Sequence, residues 1–174
     1  MTTLLSIDPG IRGTGAAIFQ DGLLTAAAYV KNFEKKGGGP YEAAKMAWAV
    51  FDWYEQRSRS FAALNTLVLE WPQTYSGRAS RGDTNDLFPL AGVDAALAVL
   101  FPGAGVTRYT PHEWKGSVDG DVMIERIKGR LSDEEKAAVT LPSAKGLAHN
   151  VFDACGVGLK FLGRLDRHRS FPRD

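Results

Sequence analysis

Three acidic residues stand where they could share metal ions. Asp8 ends the apolar run 4–7, Glu70 ends the apolar run 64–69, and Asp153 lies in an apolar segment near the C-terminus. Clustered carboxylates repel one another unless a cation bridges them. Hard oxygen ligands at a half-open site suit Mg²⁺, with Mn²⁺ as a substitute. Two such ions about 3.5–4 Å apart can activate a water and stabilise the leaving oxygen of a phosphodiester.

The motif around Asp8 has other interpretations when it is taken alone. Asp8 is followed by Pro9-Gly10 and then by a Gly- and Thr-rich return into a second apolar run. Strand–Asp–Gly hairpins also begin the phosphate-binding fold of sugar kinases and actin-like ATPases, and some are merely tight turns. The kinase fold needs two such domains, for which 174 residues are too few. The joint presence of Glu70 and Asp153 favours a metal site over a turn.

The elements that must position these acids follow from the hydrophobic pattern. We expect three antiparallel strands, a helix, a strand, a second helix, a strand and a terminal helix. This is the order of the ribonuclease H-like fold, an α/β fold with a five-stranded mixed sheet (three antiparallel strands, then two parallel) flanked by helices. The predicted strands are 3–8, 13–20, 23–31, 64–69 and 106–109, and the main predicted helices are 41–59, 86–100, 121–130 and 144–165.

Length, charge and cysteine content limit the class of protein. A chain of 174 residues fits one domain, 1–174, and its net charge of +1 means that any nucleic-acid footprint must be local. Cys155 has no second cysteine with which to form a disulfide, which suits a reducing compartment. No leader pattern and no run long enough to cross a bilayer is evident. We therefore expect a cytoplasmic protein without a membrane partner.

Four segments together resemble the RuvC family of Holliday-junction resolvases, in particular its phage-type members. They are SIDPGIRGTG (6–15), VLE (68–70), YTPHEWK (109–115) and HNVFDA (149–154). Their order and spacing extend over nearly the whole chain. The resemblance implies a metal-dependent endonuclease of DNA recombination and repair, a crossover junction endodeoxyribonuclease that hydrolyses phosphodiesters in four-way junctions or other branched DNA.

The resemblance also implies roles for individual residues. Asp8, Glu70 and Asp153 would be ligands of two Mg²⁺ or Mn²⁺ ions in each active site. Lys115 matches the lysine that the family places after a Thr-Pro turn, near the scissile phosphate. Family members act as homodimers, with one active site for each of two symmetric strands.

The chain departs from the family pattern at one position. Many members carry a fourth acid three residues before the helix aspartate, where this chain has Asn150, and some carry a histidine there. Here the histidine, His149, is one residue earlier. Both positions share a helix face with Asp153. We predict His149 as the fourth catalytic and metal-binding residue, because it can ligate metal or shuttle a proton near neutral pH, whereas Asn150 offers only a neutral oxygen.

Basic and aromatic residues indicate a DNA-contacting surface. Arg78 and Arg81 lie in a polar, Gly-rich loop, with Trp71 and Tyr75 before them. Arginines bind phosphates without reading sequence, and aromatic rings stack on unpaired bases. An ordinary solvent-exposed loop is the alternative. The predicted DNA-binding residues are Arg12, Trp71, Tyr75, Arg78, Arg81, Lys115 and Lys145.

The helix predicted at 86–100 is apolar nearly all round, which indicates burial on more than one side. Part of it belongs to the core, and the rest is a candidate homodimer face. Two alternative functions remain open. One is an RNA-processing relative of RuvC, and the other is a catalytically weak module that only binds branched DNA.

Overall fold

The computed structural model describes residues 1–32, 39–58, 64–73 and 87–166 of the chain. Three of the predicted DNA-binding residues, Tyr75, Arg78 and Arg81, lie outside the described residues.

The chain begins with an antiparallel meander. Strands β1 (Thr3–Asp8), β2 (Gly13–Gln20) and β3 (Leu23–Lys31) have the predicted bounds. Asp21 and Gly22, which join β2 to β3, have φ angles of 49° and 84°. Tight hairpins whose twist matches that of their strands require this left-handed conformation, which Asp-Gly adopts readily. The predicted hairpin is confirmed.

The remaining strands extend the sheet on both sides. β4 (Thr66–Glu70) lies parallel to β1, and β5 (Gly105–Tyr109) lies parallel to β4. A short strand, β6 (Val139–Thr140), adds in parallel to β3. Within the described residues the sheet therefore has six strands in the order β5-β4-β1-β2-β3-β6. The expected mixed sheet is confirmed, but the expected five strands are one too few, because a two-residue strand shows no periodicity.

Helices cover both faces of the sheet. The terminal helix was predicted from residue 144, but a short 3₁₀ turn, Lys145–Leu147, occupies its start. None of the helices in the described ranges is long and apolar enough to cross a membrane. The α-helices are α1 (Pro40–Arg57), α2 (Leu87–Leu100), α3 (Pro111–Lys115), α4 (Gly120–Lys128), α5 (Asp133–Ala137) and α6 (Ala148–Phe161).

Side chains of the central strand alternate between two apolar clusters. Leu5 and Ile7 belong to the cluster that includes residues of α1 and α2, whereas Leu4 belongs to the cluster that includes residues of α6. This is the period-two pattern of a strand buried on both faces. Ser6 faces α6, where its hydroxyl donates a hydrogen bond of 2.8 Å to the Ala154 carbonyl.

Glycines let α6 lie directly on the sheet. A Cβ atom at Gly15 of β2 would lie only 1.9 Å from the carbonyl oxygen of Asn150. On the helix side, a Cβ atom at Gly158 would lie 2.3 Å from the ring of Phe19. Because both positions lack a side chain, α6 approaches the backbone of β2 and is held close to the end of β1.

A buried ion pair fastens the far end of α6. Arg164 donates two hydrogen bonds to the carboxylate of Glu135, at 2.7 and 2.8 Å. Burial by itself would raise the pKa of Glu135, but the hydrogen bonds from Arg164 and from the backbone N–H groups of Leu24 and Ser132 lower it to about 2. Arg164, three residues beyond α6, therefore connects the end of this helix with β3 and α5.

Candidate metal and nucleic-acid site

The two acids on strands lie side by side at one edge of the sheet. Ile7 pairs with Leu69 in the parallel β1–β4 ladder, so Asp8 and Glu70 are the next residues on the two strands. Adjacent strands lie about 4.8 Å apart. The same row continues outward, from Glu70 to Tyr109 of β5 on one side. On the other side it passes from Asp8 through Gly15 to Tyr29.

Asp8 and Glu70 belong to the sheet face that α6 covers. Their preceding residues, Ile7 and Leu69, pack into the cluster on the opposite face, and successive strand residues alternate in direction. Gly15, which pairs with Asp8, contacts the first turn of α6. Asp153 follows one turn later. The predicted convergence of these three acids on one edge agrees with this geometry.

The charges of the three carboxylates influence one another. Asp8 retains some solvent exposure, yet many protein atoms surround its carboxyl group. Burial raises the pKa of Asp8 well above its usual value, and the charges of Glu70 and Asp153 raise it further. Burial is also the largest cause of the raised pKa of Glu70, with Asp153 adding to it. Such a cluster is destabilised as long as its negative charge has no cationic partner.

Lys115 supplies positive charge to this cluster. Its Nζ atom lies 2.9 Å from Oδ2 of Asp153, and the two side chains are only 23% and 15% exposed. Burial alone would lower the pKa of Lys115, but Glu70, Asp153 and Asp8 favour its charged form and raise the pKa overall. Lys115 therefore lies beside the acidic residues, and its role near the scissile phosphate stays a prediction.

Trp114 holds Glu70 in place, a role that the sequence analysis missed. Its indole Nε1 donates a hydrogen bond of 2.6 Å to Oε2 of Glu70. Helix α3 positions both Trp114 and Lys115, and its start is fixed by a capping box in which Thr110 and Glu113 bind each other's backbone N–H groups. The sequence signal was present, since Thr110-Pro111 followed by Glu113 is a helix-start signature.

The carboxylates of Asp8, Glu70 and Asp153 suit a divalent cation, although their side chains are not arranged around one. Among the described residues, no three side chains of His, Cys, Asp or Glu stand close enough together to hold a metal ion. Two of the acids are already occupied, Asp153 by Lys115 and Glu70 by Trp114. Carboxylate oxygens are the ligands that Mg²⁺ and Mn²⁺ prefer, and mutually repelling acids at one sheet edge are stabilised by such an ion.

The two candidates for a fourth ligand differ in their exposure. His149 is exposed, whereas Asn150 is half-buried and presses its backbone carbonyl against Gly15. No contact among the described residues joins the His149 side chain to the three acids. Its role as a fourth catalytic residue stays a prediction.

Other predicted DNA-binding residues lie on segments that precede or follow the elements of the acidic edge. Arg12 is exposed in the turn that follows Asp8, and Lys145 is exposed in the 3₁₀ turn before α6. Trp71 directly follows Glu70 and is half-buried, with the guanidinium of Arg108 5.2 Å from its ring centre. These positions leave polar and aromatic groups on the rim of the site.

Tyr29 is a further residue of this edge that sequence reasoning missed. Its ring lies against Gly13, where a Cβ atom would be only 2.4 Å from the phenolic oxygen. Burial raises the pKa of Tyr29, Asp8 raises it further and Arg12 opposes the change. The hydroxyl is thus within electrostatic reach of both residues. Nothing in the sequence distinguishes Tyr29 from an ordinary strand aromatic, because its proximity depends on pairing across two strands.

Comparisons with known proteins bear on the fold. No family model matches the chain, and no curated protein matches it in sequence. The structure is similar to Thermus thermophilus RuvC in complex with a Holliday junction substrate, with a TM-score of 0.62 and 18% identity over 95% of this chain and 96% of that one. A second T. thermophilus RuvC structure gives a TM-score of 0.60 and 16% identity over 94% and 96%.

A eukaryotic structure extends this likeness. The yeast mitochondrial Holliday junction resolvase gives a TM-score of 0.55 and 11% identity, over 97% of this chain and 82% of that one. The resemblance seen in the sequence is thereby confirmed for the fold: the chain has the architecture of the RuvC resolvases. Its phage-type assignment stays a prediction.

Proposed function

We propose that this protein is a divalent-metal-dependent endonuclease that resolves Holliday junctions or other branched DNA. The observation that carries the proposal is the row formed by Asp8 and Glu70 on adjacent strand ends, with the Lys115–Asp153 ion pair beside it. The likeness to RuvC structures, one of them bound to a Holliday junction, gives independent support for a junction substrate.

In the proposed site the acids hold two Mg²⁺ or Mn²⁺ ions. Asp8, Glu70 and Asp153 would be the ligands of these ions, and His149 would assist. When bound, such ions polarise the phosphodiester and lower the pKa of an attacking water. Trp114 orients Glu70, because its indole hydrogen bond fixes one carboxylate oxygen.

Lys115 would neutralise charge on the scissile phosphate. In the DNA-free protein it is bound to Asp153, so it has to exchange one anionic partner for another when DNA and metal arrive. The charges of all three acids raise its pKa and keep it charged for this role.

DNA strands would be held by the rim of the site. Arg12, Lys145 and Arg108 offer positive charge to backbone phosphates, and the ring of Trp71 offers a stacking surface for an unpaired base. Tyr75, Arg78 and Arg81 remain predicted contacts. This pattern suits a branched substrate, because unpaired or splayed bases occur at a branch point.

The proposed active form is a homodimer assembled through α1 and α2. Their outer faces expose Trp48, Phe88 and Val99, which are 54%, 71% and 76% exposed. Large apolar side chains exposed together are typical of an interface. Two of them, Trp48 and Val99, line an apolar groove of about 330 Å³ together with Ala44, Ala95, Ala96 and Leu100. A twofold dimer would offer two sites to a twofold junction.

Light scattering during size-exclusion chromatography tests the dimer. The expected mass is that of two chains, and Val99→Glu should give the mass of one. Val122 is similarly exposed, at 55%, but lies on α4. Val122→Glu is therefore the matched control and should leave the dimer intact. A wild-type chain that is monomeric at assay concentrations would contradict the proposed assembly.

The function is tested by cleavage of a labelled four-way junction with Mg²⁺ or Mn²⁺. The wild type should cut the junction, and Asp8→Asn should not, since it removes a ligand without changing side-chain volume. Asp52 is exposed on α1, so Asp52→Asn is the control and should cut normally. Matched duplex DNA and branched RNA should be cut more slowly.

Other outcomes identify the alternative functions. Preferred cutting of RNA would favour an RNA-processing enzyme. Tight junction binding without cleavage in Mg²⁺ or Mn²⁺ would favour a module that only binds branched DNA. The reason to consider this alternative is that neutral Asn150 stands where many family members have an acid.

A further inference from the structure

Asp94 of α2 is a buried carboxylate that has no hydrogen-bond partner among the described residues. Its residue surface is only 1% exposed. Neither of its two carboxylate oxygens has a hydrogen-bond partner in the part of the chain that the structure describes. Burying an unpaired carboxylate is so costly that proteins normally provide a hydrogen-bond donor, a cation or a proton. The position therefore calls for a partner that the described residues do not supply.

Helix packing places Asp94 near the acidic sheet edge. Its neighbour Val93, together with Leu97, belongs to the same apolar cluster as Ile7 and Leu69, the residues just before Asp8 and Glu70. Gly92 brings α2 close to α1, because a Cβ atom there would lie 3.1 Å from that of Ala43. Helix α2 is thus fixed against α1 on the sheet face opposite α6, and Asp94 lies close enough to Glu70 at the end of β4 for their charges to interact.

The charges of this region are coupled to one another. Burial raises the pKa of Asp94 well above its usual value, and the charge of Glu70 raises it further. Asp94 in turn contributes to the raised pKa of Asp8. Asp94 is therefore electrostatically part of the same acidic group, although it comes from a helix that the three-acid motif does not include.

We propose that Asp94 is the fourth carboxylate of the divalent-cation site, contributed by α2 rather than by α6. This inference rests on the proposed metal-dependent function. It accounts for two observations together: the unsatisfied, almost fully buried carboxylate of Asp94, and the neutral Asn150 at the position where an acid would complete the motif on α6.

A cation explains Asp94 better than a shared proton does. A protonated Asp94 would carry a hydroxyl that needs an acceptor, and no such acceptor is bonded to it in the described part of the chain. A divalent ion would stabilise Asp94, Glu70 and Asp8 at once, since each raises the electrostatic cost of the others.

Mn²⁺ binding to the full-length, DNA-free protein tests the proposal without reference to catalysis. Free Mn²⁺ is measured by electron paramagnetic resonance during titration, and thermal unfolding is followed with and without Mn²⁺. Asp94→Asn should weaken Mn²⁺ binding by about 10- to 100-fold. Without metal it should melt at a higher temperature than the wild type, because it removes an unpaired buried charge. Asp94→Ala should also bind Mn²⁺ weakly, and Asp52→Asn is the control.

The outcomes separate this proposal from the proposed function. If Asp8→Asn abolishes Mn²⁺ binding while both Asp94 variants bind like the wild type, Asp94 is not a ligand and the metal-dependent function stands. If both Asp94 variants lose stability in the absence of metal, Asp94 has a structural role instead, and the proposal is overturned. If the wild type binds no Mn²⁺, both proposals fail.

Discussion

The contact between Gly15 and α6 leads to a sharp prediction for Gly15→Ala. The new Cβ atom would lie 1.9 Å from the carbonyl oxygen and 2.5 Å from the carbonyl carbon of Asn150. Ordinary contact begins near 3.4 Å, so α6 and β2 would have to separate by roughly 1.5 Å. Both contacting groups are backbone atoms, which cannot rotate away as the end of a flexible side chain can.

The consequence reaches the acidic site. Gly15 pairs with Asp8, and Asn150 lies one helical turn before Asp153, so the same displacement moves Asp153 away from Asp8. We expect a loss of roughly 1–3 kcal/mol of stability, as for overpacked cores. Misplacing reacting groups by about 1 Å can cost about 100-fold in rate, so junction cleavage should fall by at least that factor.

The assay pairs single-turnover cleavage of a four-way junction with thermal unfolding, measured below the melting temperature of the variant. Gly146 lies in the 3₁₀ turn before α6, and a Cβ atom there would meet nothing within 4 Å. Gly146→Ala is therefore the matched control, with normal cleavage and unchanged stability. If Gly15→Ala cleaves and melts like the wild type, α6 does not lie against β2 as described, and the reasoning is refuted.

Three further predictions concern side chains that hold the site or the fold. Lys115→Met should lower the melting temperature of the metal-free protein and slow cleavage about 100-fold, because Asp153 and its acidic neighbours lose a cation. An unchanged melting temperature would contradict the claim that Lys115 stabilises these acids. Trp114→Phe should weaken Mn²⁺ binding about 10-fold or more, since Glu70 loses its hydrogen bond, and unchanged Mn²⁺ affinity would show that this bond does not orient the carboxylate. The pKa of Glu135 is lowered in the folded protein, so its contribution is present above about pH 4.5 and is lost as the pH falls towards about 2. Glu135→Gln should lower the free energy of unfolding by about 2–3 kcal/mol at neutral pH. It should also flatten the acid side of the stability–pH curve measured by urea unfolding. A curve parallel to that of the wild type would contradict the lowered pKa of Glu135.

Local signals predicted the first three strands and the order of the main elements. The Asp21-Gly22 turn and the apolar runs around it are short-range features, and their bounds agree with the structure. The start of β4 is less exact, since the predicted strand begins at residue 64 and β4 begins at Thr66, whereas its last residue, Glu70, is the one expected to close the strand. Element order, rather than exact bounds, brought Asp8 and Glu70 together.

Contacts between distant segments were beyond reach from the sequence. β6 exists because two residues pair with β3 across more than a hundred positions. The hydrogen bond from Trp114 to Glu70 and the position of Tyr29 depend on strand order. Asp94 was the least visible, because an acid in an otherwise apolar helix gives no indication of the direction in which it is buried.

Anomalous diffraction from crystals soaked in Mn²⁺ tests the shared acidic site most directly. The account predicts Mn²⁺ bound at the ends of β1 and β4, with oxygens of Asp8 and Glu70 about 2.1 Å from an ion. Lys115 should then be released from Asp153. If Mn²⁺ is absent from this edge, or if Asp8 and Glu70 share no ion at saturating Mn²⁺, the central claim is contradicted.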